Sequence, residues 1–391
     1  MLHQMLVSVK KPFIKMVPVP EPQCIVGNGK VLDIASYCRD FSVTNPFIVT
    51  DSVLRGLGLL DGMLEALKHA DMPFTVFDEV KPDPDYATVR AGAERYRHSG
   101  CDGIIAFGGG SPIDCAKAIA ASVRTKKDVA KLPGLLKVHR PIMPLIAIPT
   151  TSGTGSEGTV AAVVSDIESK AKRAITDPFL VPKAAVLDSQ IMLGLPPQIT
   201  AETGIDALTH AIESYLSQYA NAKTETLSLN AITAIFEYLP RAYQNGQDSE
   251  AREKMAVASF EAGLAFTRTY IGYVHAIAHQ LGAFYHVPHG RANAMVLPHV
   301  LKFIAQRDNQ RLTTLAHSLG YNNSQALIQD VEQLLDLLNI PKHIAELRAE
   351  DIPALAQQAI KEAFGEYPVP EEMNVHQCQQ LLAALLVKGA Q

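Results

Sequence analysis

Residues of the types that bind divalent metals are concentrated between positions 206 and 289. Asp206 and His210 are four residues apart, and His275 and His279 repeat that spacing. Side chains four apart lie on one face of a helix, one turn above the other. His289 stands between a proline and a glycine, where a helical pattern breaks. One carboxylate and several imidazoles in this arrangement predict a site for one divalent ion.

Histidine pairs at helical spacing also occur on surfaces and in cores, so the spacing needs support. Five of the thirteen histidines fall within residues 275–299. Their apolar neighbours predict that several are buried, and buried polar groups need partners. A shared metal would provide one partner for all of them. Carboxylate and imidazole donors without a thiolate suit Fe(II), Zn(II), Co(II) or Mn(II).

The bulk composition is typical of a globular enzyme. The chain has 391 residues, of which 47% are hydrophobic and 19% charged, with a net charge of −5. The length favours two domains. The sequence has no basic stripe of the kind that binds nucleic acid. No run approaches the ~20 apolar residues that span a bilayer, and the N-terminus does not resemble a signal peptide. Five cysteines without a CxxC pair favour the reducing cytoplasm.

The first half of the chain alternates short apolar runs with amphipathic stretches. Such alternation predicts a mostly parallel, Rossmann-like sheet covered by helices. The predicted strands are 46–51, 74–77, 102–107 and 145–148, and the predicted helices are 57–70, 85–97 and 112–123.

The second half shows no convincing strand after Gln198. The predicted helices are 201–219, 223–239, 250–266, 274–283, 310–319, 325–338 and 371–387. Pro196-Pro197 is the natural boundary, because proline rarely continues a helix interior. We therefore expect an α/β dinucleotide-binding domain over 1–196 and an all-helical metal-binding and substrate domain over 197–391.

Three glycines followed by Ser111 lie between a predicted strand and a predicted helix. Gly109 and Gly110 would let the backbone approach a ligand closely. Ser111 is predicted as the helix N-cap, with Asp114 as the acidic partner of a capping box. The helix dipole would then favour a phosphate, although a plain tight turn is the simpler alternative.

Two further segments follow predicted strands. Asp51 could accept hydrogen bonds from the adenine-ribose diol and repel a 2′-phosphate, which would favour NAD(H) over NADP(H); it could equally cap a helix. The loop after the fourth strand is rich in hydroxyl groups at Thr150, Thr151 and Thr154. Ligands bind at this edge of α/β sheets.

Taken together, these motifs resemble the iron-containing (group III) alcohol dehydrogenases, in the superfamily of glycerol dehydrogenase and dehydroquinate synthase. The residues that carry the resemblance are Gly108–Asp114, Ile148–Glu157, Asp206–Glu213, Gly272–Gly282 and Pro288–Gly290. The resemblance implies a dehydroquinate synthase-like fold with a metal in the cleft between its two domains. It also implies a homodimer.

The resemblance assigns roles to individual positions. The metal ligands fall on Asp206, His210, His275 and His289, and the further active-site histidine falls on His279. The pyrophosphate turn falls on Gly109, Gly110 and Ser111, the cofactor loop on Thr150, Thr151 and Thr154, a cofactor-side lysine on Lys172, and the ribose-selecting aspartate on Asp51. The pattern departs from the common one at Asp83, where an asparagine is frequent.

The implied activity is hydride transfer between NAD(H) and a small alcohol, aldehyde or ketone. The metal would act as a Lewis acid on the substrate oxygen, while the nicotinamide carries the hydride. Four protein ligands leave a substrate position only above four-coordination, which favours Fe(II) over Zn(II). His279 would relay a proton or orient the metal site.

Three alternatives remain at this stage. A glycerol, diol or hydroxy-acid dehydrogenase would use the same residues. A dehydroquinate synthase-like lyase would need several cationic side chains near its substrate, and residues 260–300 offer Arg268 and Arg291. A metal-free nucleotide-binding module would not need the four ligand positions.

Overall fold

A computed structural model describes residues 2–168 and 171–387. Within them, the chain forms two compact units. The α/β unit comprises residues 18–195 and 246–263, and the helical unit comprises residues 1–17, 196–245 and 264–391. Helix α1 (Leu2–Met16) therefore belongs with the later helices. The predicted domain limits, which placed all of 1–196 together, remain a prediction.

The α/β unit contains the strands of two sheets. These strands are β1 (Gln23–Val26), β2 (Pro46–Val49), β3 (Thr75–Phe77), β4 (Gly103–Gly108), β5 (Gly134–Leu135), β6 (Leu145–Pro149), β7 (Ala161–Asp166), β8 (Ala171–Thr176) and β9 (Ala184–Leu187). Its helices are α2 (Ile34–Asp40), α3 (Ser52–Gly56), α4 (Asp61–His69), α5 (Tyr86–Ser99) and α6 (Gly110–Thr125).

The main sheet has six parallel strands in the order β1-β9-β6-β4-β2-β3. Its central strands are fully buried and rich in branched apolar residues, as a sheet covered on both faces requires. The predicted parallel α/β fold class is confirmed. The smaller sheet, β5-β8-β7, and the outer strands β1 and β9 were not predicted.

The helical unit is built around α7 (Pro197–Leu216), whose residues from Thr200 onward are almost all buried. Pro197 at its first turn suits a position where an amide would have no helical partner. The other helices are α8 (Ala222–Gln244), α9 (Ser249–Thr269), α10 (Tyr273–Tyr285), α11 (His289–Ala305), α12 (Gln310–Ser318), α13 (Ser324–Leu337), α14 (Ile352–Ala363) and α15 (Val375–Ala383). Helix α9 continues from the α/β unit into this one.

The predicted all-helical second half is confirmed among the described residues, where β structure after position 198 is limited to a single bridge. Helices α11 and α14 were not predicted. None of the described helices is long and apolar enough to cross a membrane.

Candidate active site

Asp206, His210 and His275 converge inside the helical unit. Asp206 and His210 project from one face of α7, and His275 projects from the first turn of α10. One potential ligand atom from each side chain lies within 4.8 Å of the others. All three side chains are buried. The spacing of four along α7 therefore places two donors where a third from another helix meets them.

His289, the predicted fourth ligand, lies beside this cluster at the first position of α11. Its Nε2 lies 3.5 Å from Oδ1 of Asp206, and its ring centroid is 5.4 Å from that of His275. Gly290 explains this close approach: a Cβ there would lie 2.3 Å from the backbone oxygen of Glu202. The absence of a side chain lets the start of α11 pack directly on α7.

Glu213 fixes the orientation of His275. Its Oε2 accepts hydrogen bonds from Nδ1 of His275 at 2.6 Å and from the amide of Gly272 at 2.7 Å. Its Oε1 accepts from the amide of Val274 at 2.7 Å. Burial raises the pKa of Glu213 to about 7. In its ionised form Glu213 only accepts, which places the hydrogen of His275 on Nδ1 and the lone pair on Nε2.

The lone pair of His275 Nε2 points into the cluster. Within residues 2–168 and 171–387, neither this atom nor Nδ1 of His210 has a hydrogen-bond partner, although both are buried. Burial lowers the pKa of His275 well below its ordinary value, so the ring is neutral at pH 7. A buried, neutral and unpartnered imidazole nitrogen beside a carboxylate fits a divalent cation.

The electrostatics of Asp206 agree with this fit. Burial alone would raise its pKa, but the neighbouring His210, His289 and His275 hold the pKa below its ordinary value. Asn293, one turn into α11, donates from its amide to Oδ1 of Asp206 at 2.7 Å. Asp206 is therefore an anion whose orientation is fixed from outside the cluster.

Sequence reasoning assigned no role to Glu213 and Asn293. Both carry a signal that could have identified them. Glu213 is seven residues after Asp206, and Asn293 is four residues after His289, so each lies on the same helix face as a predicted ligand.

His279 lies beside the cluster, with its ring centroid 5.4 Å from that of His289. Its Nδ1 donates to Oε1 of Glu362 at 2.7 Å. The hydroxyl of Tyr367 donates to the same oxygen at 2.7 Å, and Gln280 donates to Oε2. The side chain of His279 is 27% exposed. Glu362 and Tyr367 follow α10 by about eighty residues, and no spacing rule could have connected them with His279.

The predicted cofactor residues lie in the α/β unit. Strands β2, β4 and β6 are parallel neighbours, so the segments that follow them share one edge of the sheet. These segments contain Asp51, Gly109 and Thr150. A topological arrangement of this kind is where α/β sheets bind ligands.

The glycine turn (residues 108–111) and the threonine loop (residues 150–156) contact each other. A Cβ at Gly109 would lie 3.1 Å from Oγ1 of Thr151, and a Cβ at Gly110 would lie 2.8 Å from Cγ2 of Thr154. The amide of Thr150 donates to the oxygen of Gly108 at 3.1 Å. A side chain at either position would therefore crowd the loop, most severely at Gly110.

The predicted capping box at the start of α6 is wrong. Gly109 is the N-cap, and Ser111 lies inside the first turn. Asp114 instead accepts from Oγ of Ser156 at 2.5 Å and from the amide of Val163 at 3.0 Å. No side chain in the part of the chain that the structure describes caps α6, and the carboxylate of Asp114 instead holds the end of the threonine loop at Ser156.

Lys117, which sequence reasoning missed, is fully buried beneath this loop. Its Nζ donates to backbone oxygens of Ser156, Thr159 and Ala161 at 2.6–2.9 Å. Burial lowers its pKa to about 8. Lys117 and Asp114 together fix the loop from below.

Asp51 and Lys172 each bind another group of the protein. Oδ1 of Asp51 caps α3 by accepting from the amide of Leu54 at 2.9 Å, so the helix-cap interpretation holds for that oxygen. Nζ of Lys172 lies 2.7 Å from Oδ1 of Asp83, and the amide of Asp83 donates to Oγ of Ser111 at 3.3 Å. The lysine is therefore linked to the glycine turn through the residue that departs from the common pattern.

Comparisons with known proteins show the family of the chain and agree with its fold. Residues 21–189 match the family model described as iron-containing alcohol dehydrogenase, and residues 200–386 match its C-terminal domain. Alcohol dehydrogenase 4 of Schizosaccharomyces pombe is 39% identical over 347 residues, which cover 87% of this chain and 82% of that protein.

Two solved structures have a similar fold. A 1,3-propanediol oxidoreductase superimposes with a TM-score of 0.91 at 33% identity, covering 95% of this chain and 100% of that one. The sulfoacetaldehyde reductase of Bifidobacterium kashiwanohense in complex with NAD⁺ gives 0.87 at 28% identity, covering 95% and 99%. With both halves of the family model matched and the donor cluster assembled, the chain belongs to the iron-containing alcohol dehydrogenase family and is a metal-dependent oxidoreductase.

Proposed function

We propose that Asp206, His210, His275 and His289 hold one divalent metal ion, and that the enzyme interconverts a small alcohol and its carbonyl product with NAD(H). The observation that carries the proposal is the lone pair of His275 Nε2, which is buried without a hydrogen-bond partner among the described residues. Glu213 orients this lone pair towards the carboxylate of Asp206. Leaving such an atom unpaired is costly unless a ligand is bound.

Fe(II) is the metal that the donor set favours. One carboxylate and three imidazoles suit Fe(II) and Zn(II), and Fe(II) more readily keeps further positions open for a substrate. When bound, the ion supplies Lewis-acid stabilisation of negative charge on the substrate oxygen. The protein contributes neutral imidazoles, a fixed carboxylate and the hydrogen bonds that orient them.

NAD(H) is the proposed cofactor, with its pyrophosphate at the start of α6 near Gly109, Gly110 and Ser111. The free amides of a helix N-terminus and the dipole favour an anion there. The threonine loop, at Thr150, Thr151 and Thr154, supplies hydroxyl groups beside it, and Asp114 acts by holding that loop. A related reductase was solved with NAD⁺, which supports this choice.

Asp51 is the proposed determinant of NAD(H) over NADP(H). One of its oxygens caps α3, and the carboxylate charge would repel a 2′-phosphate whichever oxygen faces the ribose. Lys172 is proposed to contribute positive charge near the glycine turn, to which Asp83 links it.

His279 is proposed to exchange a proton with solvent during the reaction. Its Nδ1–H is held by Glu362, which leaves Nε2 as the proton acceptor, and part of the ring is accessible to water. Orientation of the neighbouring His289 is the alternative role, and a variant that keeps metal but loses turnover would favour proton exchange.

A small alcohol or diol is the proposed substrate class, since similar proteins are named alcohol dehydrogenase and 1,3-propanediol oxidoreductase. A hydroxy acid is the alternative within the same chemistry. The five cysteines are all free, which supports the cytoplasm as the compartment. A homodimer is proposed from the family resemblance, and light scattering would test it.

The experiment is anaerobic reconstitution of metal-free protein with Fe(II) or Zn(II), followed by NAD⁺ and a panel of primary alcohols, diols and hydroxy acids. NADH formation is read from its absorbance. We expect turnover with Fe(II) and loss of both bound metal and turnover in His275→Ala. Glu332→Gln, at an exposed ion pair with Lys302, is the control. Full turnover by His275→Ala would contradict the metal assignment.

A further inference from the structure

Helix α1 lies ahead of residue 21, where the family match begins. Its inward face is buried in the helical unit, with His3 4% and Val7 0% exposed. Its outward face carries Leu2, Met5 and Val9, which are all more than half exposed. Helix α1 therefore lies outside the region matched by the family model, and one of its faces packs against the helical unit.

The inward face holds the end of α14. The amide of Gly365 donates to Nδ1 of His3 at 2.9 Å, and Nζ of Lys10 donates to the oxygen of Gly365 at 2.8 Å. Gly365 has a φ of +71°, and a Cβ there would lie 3.0 Å from Cδ1 of Leu6. Both backbone polar groups of this left-handed residue are thus bonded to α1.

Further contacts extend this support along the connection between α14 and α15. Lys10 pairs with Glu366 at 2.7 Å. Gln218, just after α7, donates from its backbone N–H to the backbone oxygen of Pro368 at 2.8 Å. Its side-chain Nε2 donates to the backbone oxygen of Val369 at 2.6 Å. The same side chain donates to Gln4 of α1. The connection is therefore held between α1 and the end of α7.

This connection carries Tyr367, two residues after Gly365. Its hydroxyl and Nδ1 of His279 both donate to Oε1 of Glu362 at 2.7 Å. Burial raises the pKa of Tyr367 well above its ordinary value, so the hydroxyl remains a donor. A shift of the backbone at Gly365 would move Tyr367 and weaken the hold on Glu362.

We propose that α1 is a positioning element for His279, acting through Gly365, Tyr367 and Glu362. The proposal rests on the function proposed for His279. Connections between helices belong to the least stable parts of a fold unless they are tied down. In this chain α1 supplies that support at both polar groups of one residue.

The test combines His3→Ala and Lys10→Met in the full-length, metal-loaded protein. These changes remove the acceptor and the donor that bind Gly365. We expect kcat to fall roughly tenfold, as when a catalytic group is no longer held in place. Bound metal per chain and the KM for NAD⁺ should stay unchanged. Met5→Ser, on the exposed face of the same helix, is the matched control and should keep full kcat.

A double-mutant cycle with Tyr367→Phe separates positioning from general destabilisation. If α1 acts through Tyr367, adding Tyr367→Phe to the α1 variant should lower kcat little further. Multiplicative losses, or an unchanged kcat in the α1 variant, would overturn the proposal.

Hydrogen exchange provides an independent measurement. The α1 variant should exchange faster at the amides of Gly365, Glu366, Tyr367 and Val369, and Met5→Ser should not. If the wild-type protein oxidises no alcohol with NAD⁺, the proposed function fails, and exchange alone then decides the positioning claim. Unchanged exchange at these amides would refute it.

Discussion

Replacing Glu213 with glutamine tests how the cluster is oriented. The carboxylate accepts three buried hydrogen bonds, from His275 Nδ1, Gly272 and Val274, at 2.6–2.7 Å. Glutamine has one acceptor oxygen, and its amide group must face at least one of these donors. If the amide group replaces Oε1, one buried N–H loses its acceptor, and if it replaces Oε2, two do. Each loss costs about 1–3 kcal/mol in the free energy of unfolding.

The same change should weaken metal binding. Partners that orient a ligating histidine typically contribute 10–100-fold to metal affinity, which corresponds to about 1.4–2.7 kcal/mol. The assay is anaerobic titration with Fe(II) or Zn(II) against a competing chelator, together with thermal unfolding of the metal-free protein. Glu332→Gln makes the same chemical change at an exposed site and should alter neither. Wild-type metal affinity in Glu213→Gln would refute the claim that Glu213 orients His275.

Three further predictions concern other parts of the site. Gly290→Ala should lower metal affinity, because the new Cβ would lie 2.3 Å from a backbone oxygen of α7. Gly282→Ala is the control and should leave the affinity unchanged, because its Cβ would meet no atom closer than 3.6 Å. Competition with a chelator measures both affinities. Asp51→Ser keeps a helix cap but removes the charge, so the ratio of kcat/KM for NADP⁺ to that for NAD⁺ should rise at least tenfold, and an unchanged ratio would remove Asp51 from that role. Glu362→Gln should keep the bound metal while kcat falls about tenfold or more, because the group that holds His279 loses its charge. A kcat equal to that of the wild-type enzyme in steady-state assays would count against proton exchange at His279.

Much of the fold could be predicted from periodicity. The strands at 46–49 and 145–149 are short, apolar and followed by small residues, and α7 has a long buried face. Strands β7 and β8 were not predicted because few of their residues are buried, so their sequences lack the long apolar runs of the central strands. Helix α11 escaped because Pro288 and Pro298 look like breaks, although the first is the N-cap and the second is accommodated within the helix.

The site was predictable where donors share a helix. Asp206 and His210 follow from a spacing of four, and the convergence with His275 followed from residue type. Glu362 and Tyr367 could not be inferred, because their relation to His279 is created by packing α14 against α10. The role of Lys117 was hidden for the same reason: a lysine in an otherwise apolar helix reads as a surface residue until the loop above it is placed.

Anomalous diffraction from crystals of the metal-loaded enzyme would test the central claim most directly. With Fe(II) or Zn(II), recorded at the absorption edge of the ion, we predict one peak per chain. That peak should lie about 2.0–2.3 Å from Asp206, His210, His275 and His289, with the ion on Nε2 of His275. A fully loaded enzyme whose ion lies elsewhere, or is bound through Nδ1 of His275, would contradict the account.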